Sequence, residues 1–311
     1  MPSQQMLGCI TAVSVHPSTI NFNGGRDVHR TANVIRHLDL GLKDRNLFIS
    51  LNFNTLIMDI HKENYNSKVL VEMWADFINW EKRRQGEDGF LLYTLKKFHC
   101  QKIFDACLGD GADSIHLLKN GFNVISNDLD NLFIQKAKEN ANKHNVTLNI
   151  TKHDWRDLDK HFEDKSFDAV FCLGNSLTYL FEKKDQLKTL KNFLKIIKDN
   201  GILIIDERNY QSILDEREEI IKKGKFQYSG KYVYCGDKVH GKPIEISDDK
   251  IRFEYTDERT EKKGYLVLYP FKRGELLNLL KEAGFTKIEQ YSDYKKGFYP
   301  DADFYQYVCQ K

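Results

Sequence analysis

The run KIFDACLGDGAD, from Lys102 to Asp113, constrains the fold more than any other stretch of the chain. A short β-rich segment around Ile103 and Phe104 leads into Asp105, Ala106 and Cys107; Gly109-Asp110-Gly111 then turns the chain, and an amphipathic helix follows. Strand, glycine loop and helix in that order make a unit of a parallel α/β sheet, and such sheets bind ligands beyond the carboxyl ends of their strands. The glycines let the backbone approach a ligand with no Cβ in the way. Asp128 closes the next apolar run (Phe122, Val124, Ile125) and can accept both hydroxyls of a ribose. These residues point to an adenosine-type ligand without saying which one.

The alternation continues downstream. The pattern predicts a strand over 102–107, a helix over 112–120 capped by Gly121, a strand over 122–127, a helix over 130–143 and a strand over 147–152. Phe167 to Cys172 (FDAVFC) is a continuous apolar run, as expected of a central parallel strand covered on both faces. Leu187, Leu190, Phe193, Leu194 and Ile197 recur at helical spacing, with Asp199-Asn200-Gly201 expected to end that helix before a buried strand over Ile202 to Ile205. After Tyr210 one helix over about 211–223 gives way to FQYSGKYVYC, KIRFEYTDE and GYLVLYPF, aromatic-rich segments that read as antiparallel strands. A helix from Glu275 to Ala283 and strands over about 286–291 and 303–309 complete the pattern. Upstream, helical spacing starts at Tyr65 and runs through Trp74, Phe77 and Trp80 into Lys82-Arg83-Arg84, with a second helix from Phe90 to Phe98. Residues 1–55 show no sustained period and read as a weakly structured extension. The expected division is therefore 1–55 as an extension and 56–311 as one α/β domain, with 56–100 an N-terminal helical segment and 224–271 a β insertion.

Charge and cysteine usage narrow the classes. Lys and Arg (47) nearly balance Asp and Glu (45), leaving +2, which is no electrostatic footprint for a polyanion, so nucleic acid is not expected as a partner. No apolar run is long enough to cross a bilayer, so no membrane partner is expected, and the N-terminus lacks a secretory pattern. The six cysteines are scattered and never form CxxC, which reads as packed, reduced thiols in a cytoplasmic setting. Ten histidines show no metal-ligand spacing, so no metal is expected.

Further motifs choose among nucleotide folds. A dinucleotide loop needs a third glycine where this chain has Ser114, and the P-loop Lys and Ser/Thr are missing. The two-glycine loop, Asp128, Asp154 after the third strand, and KEAGF (Lys281 to Phe285) before a final hairpin look instead like an S-adenosylmethionine-dependent methyltransferase. The resemblance implies a Rossmann-like methyltransferase fold: a mostly parallel seven-stranded sheet with an antiparallel C-terminal hairpin and an inserted antiparallel β subdomain. GADSI (Gly111 to Ile115), Asp154-Trp155, CLGNS (Cys172 to Ser176) and IDERNY (Ile205 to Tyr210) together resemble the glycine N-methyltransferase family, including the glycine/sarcosine methyltransferases. The similarity runs from about Tyr65 to the C-terminus, is strongest over 102–210, and is absent from 1–55.

The resemblance implies roles residue by residue. Ala106 and Gly109 would line the methionine part of S-adenosylmethionine, Asp128 would hold the ribose, Asp154 and Trp155 would surround the adenine, and Leu173 would close the pocket. Trp74 and Arg84 match cofactor contacts, Arg84 through the cofactor's carboxylate. Asn175 and Arg208 match the residues that grip an amino-acid substrate, with Tyr65, Tyr210, Tyr234 and Tyr269 around it. The implied reaction is methylation of glycine and/or sarcosine, with S-adenosylhomocysteine as product and no metal; the resemblance also allows a homo-oligomer. Alternative readings are a methyltransferase for another small carboxylate-bearing amine, or a non-catalytic S-adenosylmethionine-binding protein. A nucleic-acid methyltransferase is disfavoured by the neutral charge and by LGNS standing where a proline-rich motif is usual. Two departures stand out: Phe77 where the family often has Tyr, which would bear on the methylation state accepted, and Asp110 where it usually has a small residue or Thr.

Overall fold

Strands and helices alternate through the middle of the chain as the apolar periodicity predicts. The computed structural model describes residues 67–224, 226 and 238–311. Three helices come first: α1 (Lys68–Phe77), α2 (Trp80–Glu87) and α3 (Phe90–Lys97). The pattern from Tyr65 had suggested one helix running into the basic cluster. It breaks at Ile78, and Asn79 caps α2 by accepting the Lys82 N–H at 3.0 Å. Then follow β1 (Lys102–Asp105), α4 (Ala112–Lys119), β2 (Asn123–Asn127), α5 (Asn131–Lys143), β3 (Asn149–Thr151), β4 (Phe167–Cys172), α6 (Lys183–Ile196) and β5 (Ile197–Arg208). The remaining elements are α7 (Tyr210–Asp215), α8 (Arg217–Lys223), β6 (Val239–Ile246), β7 (Ile251–Asp257), β8 (Lys263–Leu268), α9 (Glu275–Ala283), β9 (Lys287–Ser292), β10 (Lys295–Lys296) and β11 (Phe304–Gln310).

The main sheet runs β10-β9-β11-β5-β4-β1-β2-β3. Strands β1 to β5 pair in parallel, and β11 inserts antiparallel between β5 and β9. These are the seven expected strands; the two-residue β10 adds an eighth at one edge. Strand periodicity splits the core between the two faces. Phe104, Val170, Cys172, Leu203 and Ile205 pack with α6 and α9, whereas Ile103, Ala169, Phe171, Ile202 and Ile204 pack with α3 and α4. The same alternation sends Glu207 to the first face, against Tyr307. Asp206 and Arg208 go to the second.

Several local expectations need correction. Cys107 does not close β1: the strand ends at Asp105, and Cys107 belongs to the glycine loop. Asp199-Asn200-Gly201 does not end a helix. Helix α6 stops at Ile196, and these residues lie in β5 where its register against β4 shifts. Gly201 suits that place because a Cβ there would stand 2.5 Å from the Asp168 carbonyl oxygen. The single helix expected over 211–223 is two, broken at Glu216.

The inserted sheet has the order β6-β7-β8, all antiparallel. Of FQYSGKYVYC, only Phe226 lies within the described residues; KIRFEYTDE and GYLVLYPF supply β7 and β8. Gly241 and Pro243 interrupt the alternation of β6 and hide it in the sequence; among the described residues it lies at the edge of the sheet, where proline costs no ladder bond, and its register shifts beside Pro243. Leu70, Met73 and Phe77 of α1 pack against Tyr255, Leu266 and Leu268 of this sheet and against Tyr210 and Ile213. Among the described residues no helix is long and apolar enough to cross a membrane.

Candidate active site

A cavity of about 380 Å³ opens beyond the carboxyl ends of β1, β2 and β4. Ala106, Gly109, Asp128, Asp154, Trp155, Leu173 and Trp74 line it, which brings together every expected cofactor contact except Arg84. Gly109 (φ +53°) and Gly111 (φ +93°) hold the loop in the left-handed region that favours glycine. The Gly109 N–H donates to Asp128 Oδ2 at 2.8 Å and the Asp130 N–H to Asp128 Oδ1 at 2.9 Å, so the carboxylate is fixed at the end of β2. Burial pushes Asp128 up to about 6, against the pull of those two backbone donors.

Ser114, which replaces the third glycine of a dinucleotide loop, is fully buried. Its hydroxyl bonds Asp105 Oδ2 at 2.5 Å and meets the Ser126 hydroxyl at 2.7 Å, tying α4 to β1 and β2. Burial and the charge of Asp113 raise Asp105 to about 7, in spite of the Ser114 bond. The indole N–H of Trp155 donates to the Ala106 carbonyl at 2.7 Å, which sets the ring along the cavity. Asp154 accepts the backbone N–H of Arg156 and also its guanidinium, at 2.9 and 2.6 Å. Arg156 reaches on to Asp185 at 2.9 Å.

Arg84 lies behind the cavity wall, paired with Glu87 at 2.5 Å and with Asp113. Its neighbour Arg83 lines the cavity and bonds Asp113 Oδ2 at 2.9 Å. Burial alone would raise Asp113, but the two guanidiniums hold it down at about 2. Arg83 was passed over in the sequence because Lys82-Arg83-Arg84 reads as a solvated helix end.

The expected substrate residues form a second, buried group at the ends of β4 and β5. Asn175 sits in the left-handed region (φ +65°), and its N–H and that of Gly174 donate to Asp206 at 2.6 and 3.1 Å. Asn175 Nδ2 donates to the Tyr210 hydroxyl at 2.5 Å, and its Oδ1 accepts the Arg208 backbone N–H at 3.1 Å. The Arg208 guanidinium lies 4.5 Å from the ring centre of Phe253, 5.6 Å from Phe304 and 6.0 Å from Tyr210. Asn175, Arg208 and Tyr210 do not line the 380 Å³ cavity, but Gly174 and Ser176 do. Burial raises Asp206 to about 6, against its backbone donors and Arg83. Its role as anchor of the Gly174-Asn175 turn was not foreseen; only its place beside the arginine in IDERNY hinted at one. Tyr269 is half-buried; its hydroxyl donates to Glu275 Oε1 at 2.7 Å, and its backbone N–H donates at 2.9 Å to the carbonyl of Thr178, a residue that Asn175 also bonds. Tyr65 and Tyr234 lie outside the described residues. Phe77 is buried edge-on to Tyr255, with ring centres 4.8 Å apart.

Comparison with known proteins fits this geometry. The methyltransferase domain family matches residues 103–201. A crystal structure of an S-adenosylmethionine-dependent methyltransferase from Clostridium acetobutylicum superposes with a TM-score of 0.58 at 16% identity, covering 75% of this chain and 92% of that one. Fold and matching domain together define a class I S-adenosylmethionine-dependent methyltransferase. The chain is 38% identical over 253 residues to the glycine/sarcosine N-methyltransferase of Aphanothece halophytica, covering 81% of this chain and 91% of that protein. It is 36% identical over 244 residues to the enzyme of the same name from Halorhodospira halochloris, covering 78% and 87%. The chain belongs to the glycine/sarcosine N-methyltransferase family.

Proposed function

We propose that this protein transfers the methyl group of S-adenosylmethionine to the amine of glycine and/or sarcosine, giving sarcosine and/or dimethylglycine and releasing S-adenosylhomocysteine. The observation that carries this reading is Arg208 beside Asn175 at the ends of β5 and β4, where the turn Gly174–Ser176 also forms part of the cavity wall. A guanidinium next to a cofactor-sized cavity is what an acceptor with a carboxylate calls for.

The cavity suits S-adenosylmethionine: on its wall Asp128 offers a fixed acceptor to a ribose, Trp155 an aromatic ring to an adenine, and Ala106, Gly109 and Leu173 a lining for the methionine arm. Arg83, on the wall, is best placed to answer the methionine carboxylate, with Arg84 and Asp113 behind it. When bound, the cofactor supplies an electrophilic methyl group on a sulfonium. The protein's part is then to hold the acceptor nitrogen in line and keep water out. Arg208 suits a carboxylate because a guanidinium fork binds both oxygens. Asn175 adds a directional amide, and the Tyr210 hydroxyl, already held by that amide, orients the amine. A second positive charge beside Arg208 is disfavoured, which helps the amine lose its proton before attack, so no dedicated base is required. For Tyr65 and Tyr234 the proposed substrate role rests on the family resemblance alone. The reading also takes 56–311 as the catalytic domain and the setting as cytoplasmic, in keeping with free thiols at Cys100, Cys107, Cys172 and Cys309.

The test is incubation with methyl-labelled cofactor and glycine, sarcosine, dimethylglycine or RNA, following S-adenosylhomocysteine release. Labelled sarcosine or dimethylglycine is expected, with no label in RNA. Tight cofactor binding without turnover of any small amine would overturn the reading.

A further inference from the structure

Helix α2 (WEKRRQGE) contributes Arg83 to the cavity wall, yet Glu87 is its only buried residue. A helix with no apolar face is not seated by hydrophobic burial. Polar contacts must hold it. Arg83 and Arg84 supply one set, on Asp113.

Trp80 supplies another. Its indole N–H donates to Asp110 Oδ2 at 2.8 Å, and its ring stacks on His144, just past α5, at 5.6 Å and 20°. Asp110 is the middle residue of Gly109-Asp110-Gly111 and stands on the cavity wall, only 4% exposed. Its carbonyl accepts Asn140 Nδ2 of α5 at 2.9 Å. One hydrogen bond therefore joins the N-terminal helices to the glycine loop. An indole can only donate, and removing it takes from the buried Asp110 carboxylate one of its two donors, the other being the Ala112 backbone N–H, so the loss is costly.

We propose that the Trp80–Asp110 bond is a positioning contact that seats α1 and α2, with Trp74, Ile78 and Arg83, against the glycine loop, so that it governs how tightly the cofactor is held. This rests on S-adenosylmethionine occupying the cavity.

The test uses the full chain and the variants Trp80→Phe, Asp110→Ala, Asp110→Asn and the Trp80→Phe/Asp110→Ala double variant. Cofactor affinity is measured by calorimetry, release by stopped flow, and steady-state constants and Tm alongside. Trp80→Phe and Asp110→Ala should each raise the cofactor Kd and KM about tenfold and speed release, with kcat changing much less. The double variant should lose no more than the worse single one. Asp110→Asn keeps an acceptor oxygen and should recover most of the affinity. Unchanged cofactor Kd in Trp80→Phe and Asp110→Ala with a lowered Tm would overturn the proposal, because the bond would then serve stability alone; additive losses in the double variant would overturn it too. Wild-type protein that binds no S-adenosylmethionine would overturn the cofactor reading itself, and this inference with it.

Discussion

The cofactor cavity and the cluster around Arg208 meet at the Gly174–Ser176 turn, yet they are built differently. The cavity is made largely of short segments that follow β1, β2, β3 and β4, and its polar groups are fixed by the backbone: the Gly109 and Asp130 N–H groups donate to Asp128, and the Ala106 carbonyl accepts the Trp155 indole N–H. The Arg208 cluster draws on the ends of β4 and β5, on Phe253 of the inserted sheet and on Phe304 of β11. Its polar atoms bond one another, through the Asn175 amide to Tyr210 and to the Arg208 backbone. A preformed cavity suits a cofactor used in every turnover; a cluster gathered from distant segments can be changed without disturbing that cavity.

If the two regions are separable in this way, substitutions should sort cleanly between them. The largest effect is expected from Arg208→Lys, which trades a fork for a point charge: the amino-acid KM should rise about a hundredfold while cofactor Kd moves less than about threefold. Initial rates and calorimetry check this, and a collapse of cofactor binding would break the separation. Asp128→Asn should do the opposite, weakening cofactor binding about thirtyfold with little change in amino-acid KM. The pH dependence sharpens the point. Asp128 is raised to about 6, so it loses its acceptor charge as pH falls through that value. Wild-type cofactor affinity should therefore drop below pH 6, and that drop should be absent from Asp128→Asn.

The smallest effect tests the sheet's alternation. Glu207 is the residue before Arg208 but faces the opposite side, where Tyr307 donates to it at 2.6 Å. Burial raises it from 4.5 to about 8. The folded chain thus binds more protons than the unfolded chain between those values, and the stability this group contributes is lost as pH rises through about 8. Glu207→Gln, which mimics the protonated form, should raise Tm by a few degrees at pH 8–9, by less at pH 6, change it little near pH 4, and leave amino-acid KM unaltered. Thermal melts across that range check the sign.

How legible each region was in the sequence follows from the same contrast. Ala106, Gly109, Asp128 and Trp155 each stand at or just beyond a strand end or glycine turn that apolar runs and turn residues mark. Arg83 was missed because helical phase, not motif, decides which of two adjacent arginines reaches the cavity. The Trp80–Asp110 bond spans thirty positions, and no local pattern encodes it. Strand β6 was lost to its own glycine and proline. The extra residues of β5 read as a helix stop, because Asp-Asn-Gly is ordinarily a turn; here Gly201 instead allows close approach to Asp168. Legibility declined with the distance over which a contact is made.

The most direct test is a crystal structure of the ternary complex with S-adenosylhomocysteine and glycine. The expected arrangement has the ribose on Asp128, the glycine carboxylate on Arg208 and Asn175, and the amine facing the sulfur with room for one methyl group between them. A glycine carboxylate held away from Arg208, or an amine turned from the sulfur, would contradict it.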